Sequence, residues 1–262
     1  MIEDKVSIIT RCMNRAHHLE LSLDYMILQN WRPLEIIVVN YDSTDGLHEM
    51  LWDKYEWYMG IGLIKEIYVP NCPKFVPAHA QNVGIRHATG EWLFFMDADN
   101  VPKPHFIPHL MSRVRGQKMI FARPIPDYMH TDMAGQMLCR KEDIANIGGF
   151  LEDLRHGWGY EDGDIRDRLI LYGCDLLEYN TTMVEMIKHG EEDRTGYMEN
   201  RDRNITQQLN QDTARRNKMW HGFSANIGTE WGAGGTLVTN KEDTRHGFRH
   251  LAATGREDGT AL

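Results

Sequence analysis

Trp92-Leu93-Phe94-Phe95-Met96-Asp97-Ala98-Asp99 is the stretch that decides how this chain is read. Five apolar residues in a row, set between Gly90 and an acidic pair, have the length and composition of a fully buried strand. The two carboxylates, one residue apart, then leave the sheet at its carboxyl edge. Hard oxygen ligands there suit magnesium or manganese, ions that bind through one or two carboxylates plus substrate phosphates. An acidic pair in a loop is commonly no more than a solvated turn, so its meaning depends on its surroundings.

Working outward, residues 6–10, 34–39 and 64–69 read as further buried strands, and helical apolar patterns cover 16–29, 47–58 and 77–88. Strands alternating with helices predict an α/β fold with a mostly parallel sheet and right-handed crossovers. Ligands of such sheets bind outside the carboxyl ends of the strands. Both the polar turn Asn40-Tyr41-Asp42-Ser43-Thr44-Asp45-Gly46 and the Asp97/Asp99 pair fall at that edge. Beyond Val101 the pattern is irregular: Pro102, Pro104 and Pro108 interrupt it, and short strands are expected near 119–122 and 137–139. A helix over 141–147 should end at Gly148-Gly149, and another over 161–172 at Gly173.

The composition narrows the function classes. A net charge of −9 over 262 residues argues against nucleic acid, which needs a basic footprint. No segment approaches the roughly 18 to 20 consecutive apolar residues of a membrane span. The start, Met1-Ile2-Glu3-Asp4-Lys5, lacks a signal peptide's basic and apolar regions, so a cytoplasmic location is expected, with no transmembrane segment and at most peripheral membrane contact. Cys12, Cys72, Cys139 and Cys174 have no CxxC spacing and read as reduced thiols.

Three more segments bear on the acidic pair. Gly157-Trp158-Gly159-Tyr160-Glu161-Asp162-Gly163-Asp164 runs a glycine-flanked indole into a helix with acids in its first turn. Acids at a helix start complement the macrodipole, which accounts for one carboxylate but not three. An exposed indole stacks on sugar faces, and an adjacent carboxylate can take a proton from a sugar hydroxyl. In Met186-Ile187-Lys188-His189, histidine is a common metal ligand, whereas methionine is a soft one, unusual beside carboxylates. The two converge on one ion only if the chain turns after Ile187. Asn82-Val83-Gly84 precedes the Trp92 strand and reads equally well as helix packing.

Taken in order, these segments resemble inverting GT-A glycosyltransferases, specifically the β-1,4-galactosyltransferase group and its relatives among the family 2 enzymes. Val6-Ser7-Ile8-Ile9 with Asn14-Arg15, Asn82-Val83-Gly84, Asp97-Ala98-Asp99, Gly148-Gly149-Phe150, the Trp158–Asp162 block and Met186-Ile187-Lys188-His189 carry the likeness across 6–194. The resemblance implies a GT-A fold over 1–194, with a nucleotide-binding half at 1–100 and an acceptor and metal half at 101–194. It implies Mn2+ (or Mg2+) held by Asp99, His189 and Met186, and Asp162 as the general base with Glu161 orienting it or the acceptor. Asp97, Asp42, Arg15, Asn82 and Trp158 would contact the UDP-sugar donor, and Trp158, Tyr160 and Glu161 the glycan or other hydroxyl acceptor. Residues 195–262, poor in large aliphatics, are expected as a polar extension with peripheral helices to about 223 and a Gly-rich, loop-like or poorly ordered remainder.

The chain departs from that pattern in places. Arg11-Cys12-Met13 replaces Pro-Phe-Arg, Asn40-Tyr41 stands where an Asp-Asp is usual, Tyr160 takes a glycine position, and Gly163 interrupts the acidic run. The expected activity is an inverting, metal-dependent transfer of a hexose or N-acetylhexosamine. The rivals are a retaining UDP-GalNAc-type transferase of the same fold, where an Asn normally follows the Glu, and a non-catalytic nucleotide- or carbohydrate-binding module. A nucleotidyltransferase would need a Gly-rich phosphate loop after the first strand, and residues 10–15 contain no glycine.

Overall fold

The computed structural model describes residues 4–125 and 133–243. Strands β1 (Val6–Cys12), β2 (Leu34–Asn40), β3 (Ile64–Tyr68) and β4 (Trp92–Phe95) lie parallel in the spatial order β3-β2-β1-β4. Helices α1 (Ala16–Ile27), α2 (Leu47–Gly60) and α3 (Pro77–His87) make the crossovers. Consecutive residues of β1 and β2 are apolar because both faces of the sheet are covered. Ile8, Ile36 and Val38 pack toward Leu19, Leu23 and Leu51, while Ile9, Ile37 and Val39 pack toward Val83 and Ile85.

The sheet continues past β4 through β7 (Met137–Arg140) and β6 (Ile120–Pro124) to β8 (Asp175–Tyr179), giving eight strands with β10 (Thr236–Leu237) antiparallel on β3 at the far edge. A separate ribbon pairs β5 (Asn100–Pro102) with β9 (Val184–Met186). Helix α4 (Phe106–Val114) forms across Pro108, contrary to the expectation of irregular chain. That proline is the third helical residue, where the missing N–H is one of the first-turn donors without an intrahelical partner. Helices α5 (Lys141–Asn146), α6 (Glu161–Tyr172), α7 (Glu191–Thr195) and α8 (Arg203–His221) complete the chain. Among the described residues no helix is long and apolar enough to cross a membrane.

In the C-terminal segment α8 lies at the surface with only Thr206, Asn210 and Ala214 buried, whereas residues 224–243, expected as loop-like or poorly ordered, are tied into the fold on two sides. Asn226 Nδ2 donates to the Gly148 and Phe150 carbonyls at 2.8 and 2.7 Å, and Gly232 N donates to Glu152 at 2.7 Å. Beyond these contacts, β10 adds an edge strand, and Lys241 caps His48 through its carbonyl. Polar side chains and backbone make these attachments, beside scattered apolar contacts from Phe223, Ala225, Trp231 and Val238 that are too widely spaced for a hydrophobic pattern to reveal. Residues 244–262 of the expected extension lie outside the described residues.

Candidate active site

Three elements deliver charged groups to the carboxyl edge of the sheet. Arg11 comes from the end of β1, Asp97 and Asp99 from the turn after β4, and Glu161 and Asp162 from the first turn of α6. One Arg11 nitrogen stands 3.2 Å from Asp97 and 3.5 Å from Glu161, joining the two acidic segments. The backbone at Gly135 passes close over the acids: a Cβ there would sit 3.2–3.3 Å from both Asp162 carboxylate oxygens and 3.3 Å from Asp97. A side chain there would crowd those carboxylates, which would have to give by a few tenths of an ångström. Together these groups line a cavity of about 410 Å³, which Arg15, Arg123, Trp158, Tyr160, Tyr197 and His189 also reach.

Packing carboxylates this tightly shifts their protonation. Burial, then Glu161 and Asp97, push Asp162 up to about 8, against the opposing pull of Arg11 and Arg123. Asp97 is likewise raised, by burial and by its acidic neighbours, although Arg11 counters. Asp162 Oδ1 and Arg11 Nη1 are buried with no hydrogen-bond partner among the described residues. Leaving such groups unpaired is costly, and both atoms belong to residues that line this cavity, where a bound polar group could satisfy them.

Asp99 and His189, ninety positions apart, meet with Nε2 2.7 Å from Oδ2. The cause is the β5–β9 ribbon, whose register sets Asn100 opposite Met186, after which Ile187 N donates to the Asp99 carbonyl at 2.8 Å. The hydrogen bond to Asp99 raises the His189 imidazole against burial, while His189 and Arg15 hold Asp99 low despite burial. His189 Nδ1 faces the Gly190 carbonyl at 3.1 Å, an outer contact that leaves Nε2 to point at the carboxylate. Met186, the other residue expected as a ligand, is partly buried against the apolar cluster beneath the sheet and is not among the residues that line the cavity. Among the described residues no three His, Cys, Asp or Glu side chains form a ready metal cage. Asp99 and His189 nonetheless suit a divalent ion that takes its other ligands from phosphate and water, since cis ligands of an octahedral ion at about 2.1 Å lie roughly 3 Å apart.

The indole loop is fixed by α8. Asn210 Nδ2 donates to the Gly159 carbonyl at 2.8 Å, and Thr206 Oγ1 to the Trp158 carbonyl at 2.8 Å. Arg203 lies 3.9 Å from the Trp158 ring centroid, stacking the guanidinium on the indole. Gly157 has φ +143°, and a Cβ there would meet the Asn200 carbonyl at 2.5 Å. Tyr160 adopts φ 77° where the resembling group has glycine, and its ring lies over Gly163, whose added Cβ would be 3.2 Å from it. The two departures from the family pattern are therefore one packing unit: the tyrosine ring takes the space that the glycine leaves.

Two expected donor contacts are committed elsewhere. Asn82 is fully buried, donates to the Phe150 carbonyl at 2.8 Å and to Glu152 at 2.9 Å, and accepts from Phe150 N at 2.8 Å. It fastens α3 to the 149–152 loop and does not line the cavity. Asp42 accepts from Tyr68 OH at 2.6 Å and from Cys72 N at 2.8 Å, holding the loop after β3. Arg15 does reach the cavity, 3.0 Å from Asp99, and its other nitrogen donates to the Asp193 carbonyl. Sequence reasoning gave no role to Arg11 and Arg123. An arginine closing an otherwise apolar strand was the available signal for the first.

The family described as glycosyl transferase family 2 matches residues 7–152, and the one described as the N-terminal domain of galactosyltransferase matches 115–190. The uncharacterized glycosyltransferase YibD of Escherichia coli is 32% identical over 109 residues, 42% of this chain and 30% of that protein. The chain spans about a third or less of the length of the curated relatives it matches. Among solved structures, TarS of S. aureus in complex with UDP superimposes with a TM-score of 0.59 at 17% identity, covering 72% of this chain and 62% of that one. A mannosyltransferase from Pyrobaculum calidifontis, in complex with GDP-Man and Mn2+, gives 0.57 at 20% identity, over 69% and 56%. These likenesses establish the GT-A fold, and with a family match across more than half its length the chain belongs to glycosyl transferase family 2.

Proposed function

We propose that the chain transfers a hexose or N-acetylhexosamine from a UDP-sugar to a hydroxyl of a glycan or other acceptor, with inversion and with Mn2+ or Mg2+. The observation that carries this reading is the convergence of Asp97, Glu161 and Asp162 on Arg11 beside the Asp99–His189 contact, in one cavity at the sheet edge. Nucleotide sugars or their nucleotides occupy the solved relatives, UDP and UDP-GlcNAc in TarS and GDP-Man in the mannosyltransferase.

In this reading Asp162 takes the acceptor's hydroxyl proton as the new C–O bond forms at the anomeric carbon and the bond to the diphosphate breaks. A positioned base of this kind contributes about 10²–10⁴ in rate. Its raised affinity for a proton suits the task, because a base titrating near the working pH balances ionisation against basicity. Glu161, held by Arg11, orients the acceptor side, and Trp158 offers a flat apolar face to a sugar. Asp99 and His189 would hold the cation, which when bound offsets charge growing on the leaving diphosphate. Tyr197, Met198 and the α8 residue Gln207 line the cavity together with Trp158 and Gly159 of the indole loop.

The test is nucleotide release from UDP-Gal, UDP-GalNAc, UDP-Glc, UDP-GlcNAc and GDP-Man, each with Mn2+ and with chelator. UDP released in a cation-dependent way from at least one UDP-sugar supports the reading. Release confined to GDP-Man, or unchanged by the chelator, refutes the donor or the cation assignment respectively.

A further inference from the structure

A second concavity, of about 500 Å³, lies between the 151–156 loop and the C-terminal half of α8. Arg155, His156, Arg216, Asn217, Trp220 and His221 line it. Trp220 is 73% exposed, an unusual display for the largest aromatic side chain. Arg216 is steadied by a 3.0 Å hydrogen bond to Thr213, and Asn217 by one of 2.9 Å to the Ser224 carbonyl. The acid in the wall, Asp153, is engaged with Arg155 at 2.7 Å. In a chain of net charge −9, the groove wall sets two guanidiniums, two imidazoles and an open indole against a single acid, Asp153, and so leaves Arg216 as its uncompensated cation among the described residues.

We propose that this groove is a secondary binding site for an acidic oligosaccharide, with a carboxylate of the glycan on Arg216 and a sugar face on Trp220. Planar guanidiniums match carboxylates through paired hydrogen bonds, and indole faces stack on the apolar face of a pyranose. A bilayer would instead be met by projecting apolar groups; the wall is concave, and the neighbouring exposed Met219 does not line it. The groove is also linked to the cavity. The loop that forms one wall runs straight into Trp158, and α8 spans both sites, with Gln207 in the cavity and Trp220 in the groove. Thirteen residues of helix separate the two by about 20 Å.

The test is binding of an oligogalacturonate hexamer to the full chain, followed by calorimetry and tryptophan quenching. Maltohexaose and phosphatidylglycerol vesicles serve as the neutral and the lipid comparison. The acidic hexamer should bind at least tenfold more tightly than maltohexaose. Trp220→Ala and Arg216→Ala should each weaken that binding tenfold or more, while Trp57→Ala, an exposed indole on α2, leaves it unchanged. UDP affinity should be unaltered in all three variants, which shows that they are folded. Equal binding of both hexamers, loss-free variants, no binding of the acidic hexamer, or binding of vesicles alone would each overturn the proposal. Because no donor sugar is needed, the outcome is independent of the nucleotide-release screen, and either reading can fail without the other.

Discussion

Asp162 concentrates the tension in this site. Its carboxyl is buried beside Glu161 and Asp97, and its folded-state pKa, pushed up to about 8, stands far above the ordinary 3.8. An acid whose pKa is raised on folding stabilises the fold fully below its unfolded value, and that contribution drains away as pH climbs through the folded value. In the cation-free protein, Asp162→Asn should therefore raise the melting temperature by several degrees at pH 8 and by little at pH 4.5. Thermal melts across that range check it; a variant with the wild-type pH slope would show that Asp162 is not the strained group. Such residues explain why chemistry was partly legible from sequence. Asp97, Asp99 and Asp162 announce themselves as acids after a strand or at a helix start. Arg11 did not, because one arginine after Val6-Ser7-Ile8-Ile9-Thr10 says nothing of the two acidic segments it joins.

The decisive elements are the β5–β9 ribbon and the start of α8. The ribbon's register brings His189 to Asp99 and at the same stroke leaves Met186 against the apolar cluster, so the two ends of one short motif have different fates. Period and composition cannot show this, since a three-residue strand carries too few residues for a pattern. α8 acts on the indole loop through Asn210, which is fully buried and donates to two glycine carbonyls. Asn210→Ala removes the donor and strands those carbonyls, at a cost of about 1–3 kcal/mol. Denaturant unfolding should show that loss, and acceptor KM should rise several-fold while UDP affinity holds. An unchanged KM would mean that the Trp158 loop keeps its shape without α8.

Across the whole molecule, the parallel half was legible because its strands are buried on both faces and alternate regularly with helices. The second half was less so: β8 is mostly exposed, with only Tyr179 buried, and the C-terminal strap is attached by polar contacts. That strap includes a pH-sensitive clasp. His48 presents Nδ1 to Glu66 at 2.9 Å and Nε2 to the Lys241 carbonyl at 2.8 Å, two acceptors that only an imidazolium satisfies together. Burial opposes the charge, yet Glu66, the carbonyl and Glu49 raise the His48 pKa above 6.5. Its stabilising contribution is complete below the unfolded value and is lost as pH rises through the folded one. Amide exchange in β10 should therefore accelerate between pH 6 and 8.5 beyond the intrinsic base dependence, and His48→Gln should abolish that excess. An excess that survives the substitution would place the clasp elsewhere.

The central claim is that the acids gathered at the sheet edge perform sugar transfer, with Asp162 as the base. The most direct measurement compares Asp162→Asn with the wild type for UDP binding and for transfer to an acceptor, both with Mn2+. UDP affinity should stay within a factor of about three of the wild type while transfer falls by about 10²-fold or more. Transfer near the wild-type rate in a variant that binds UDP normally would contradict it.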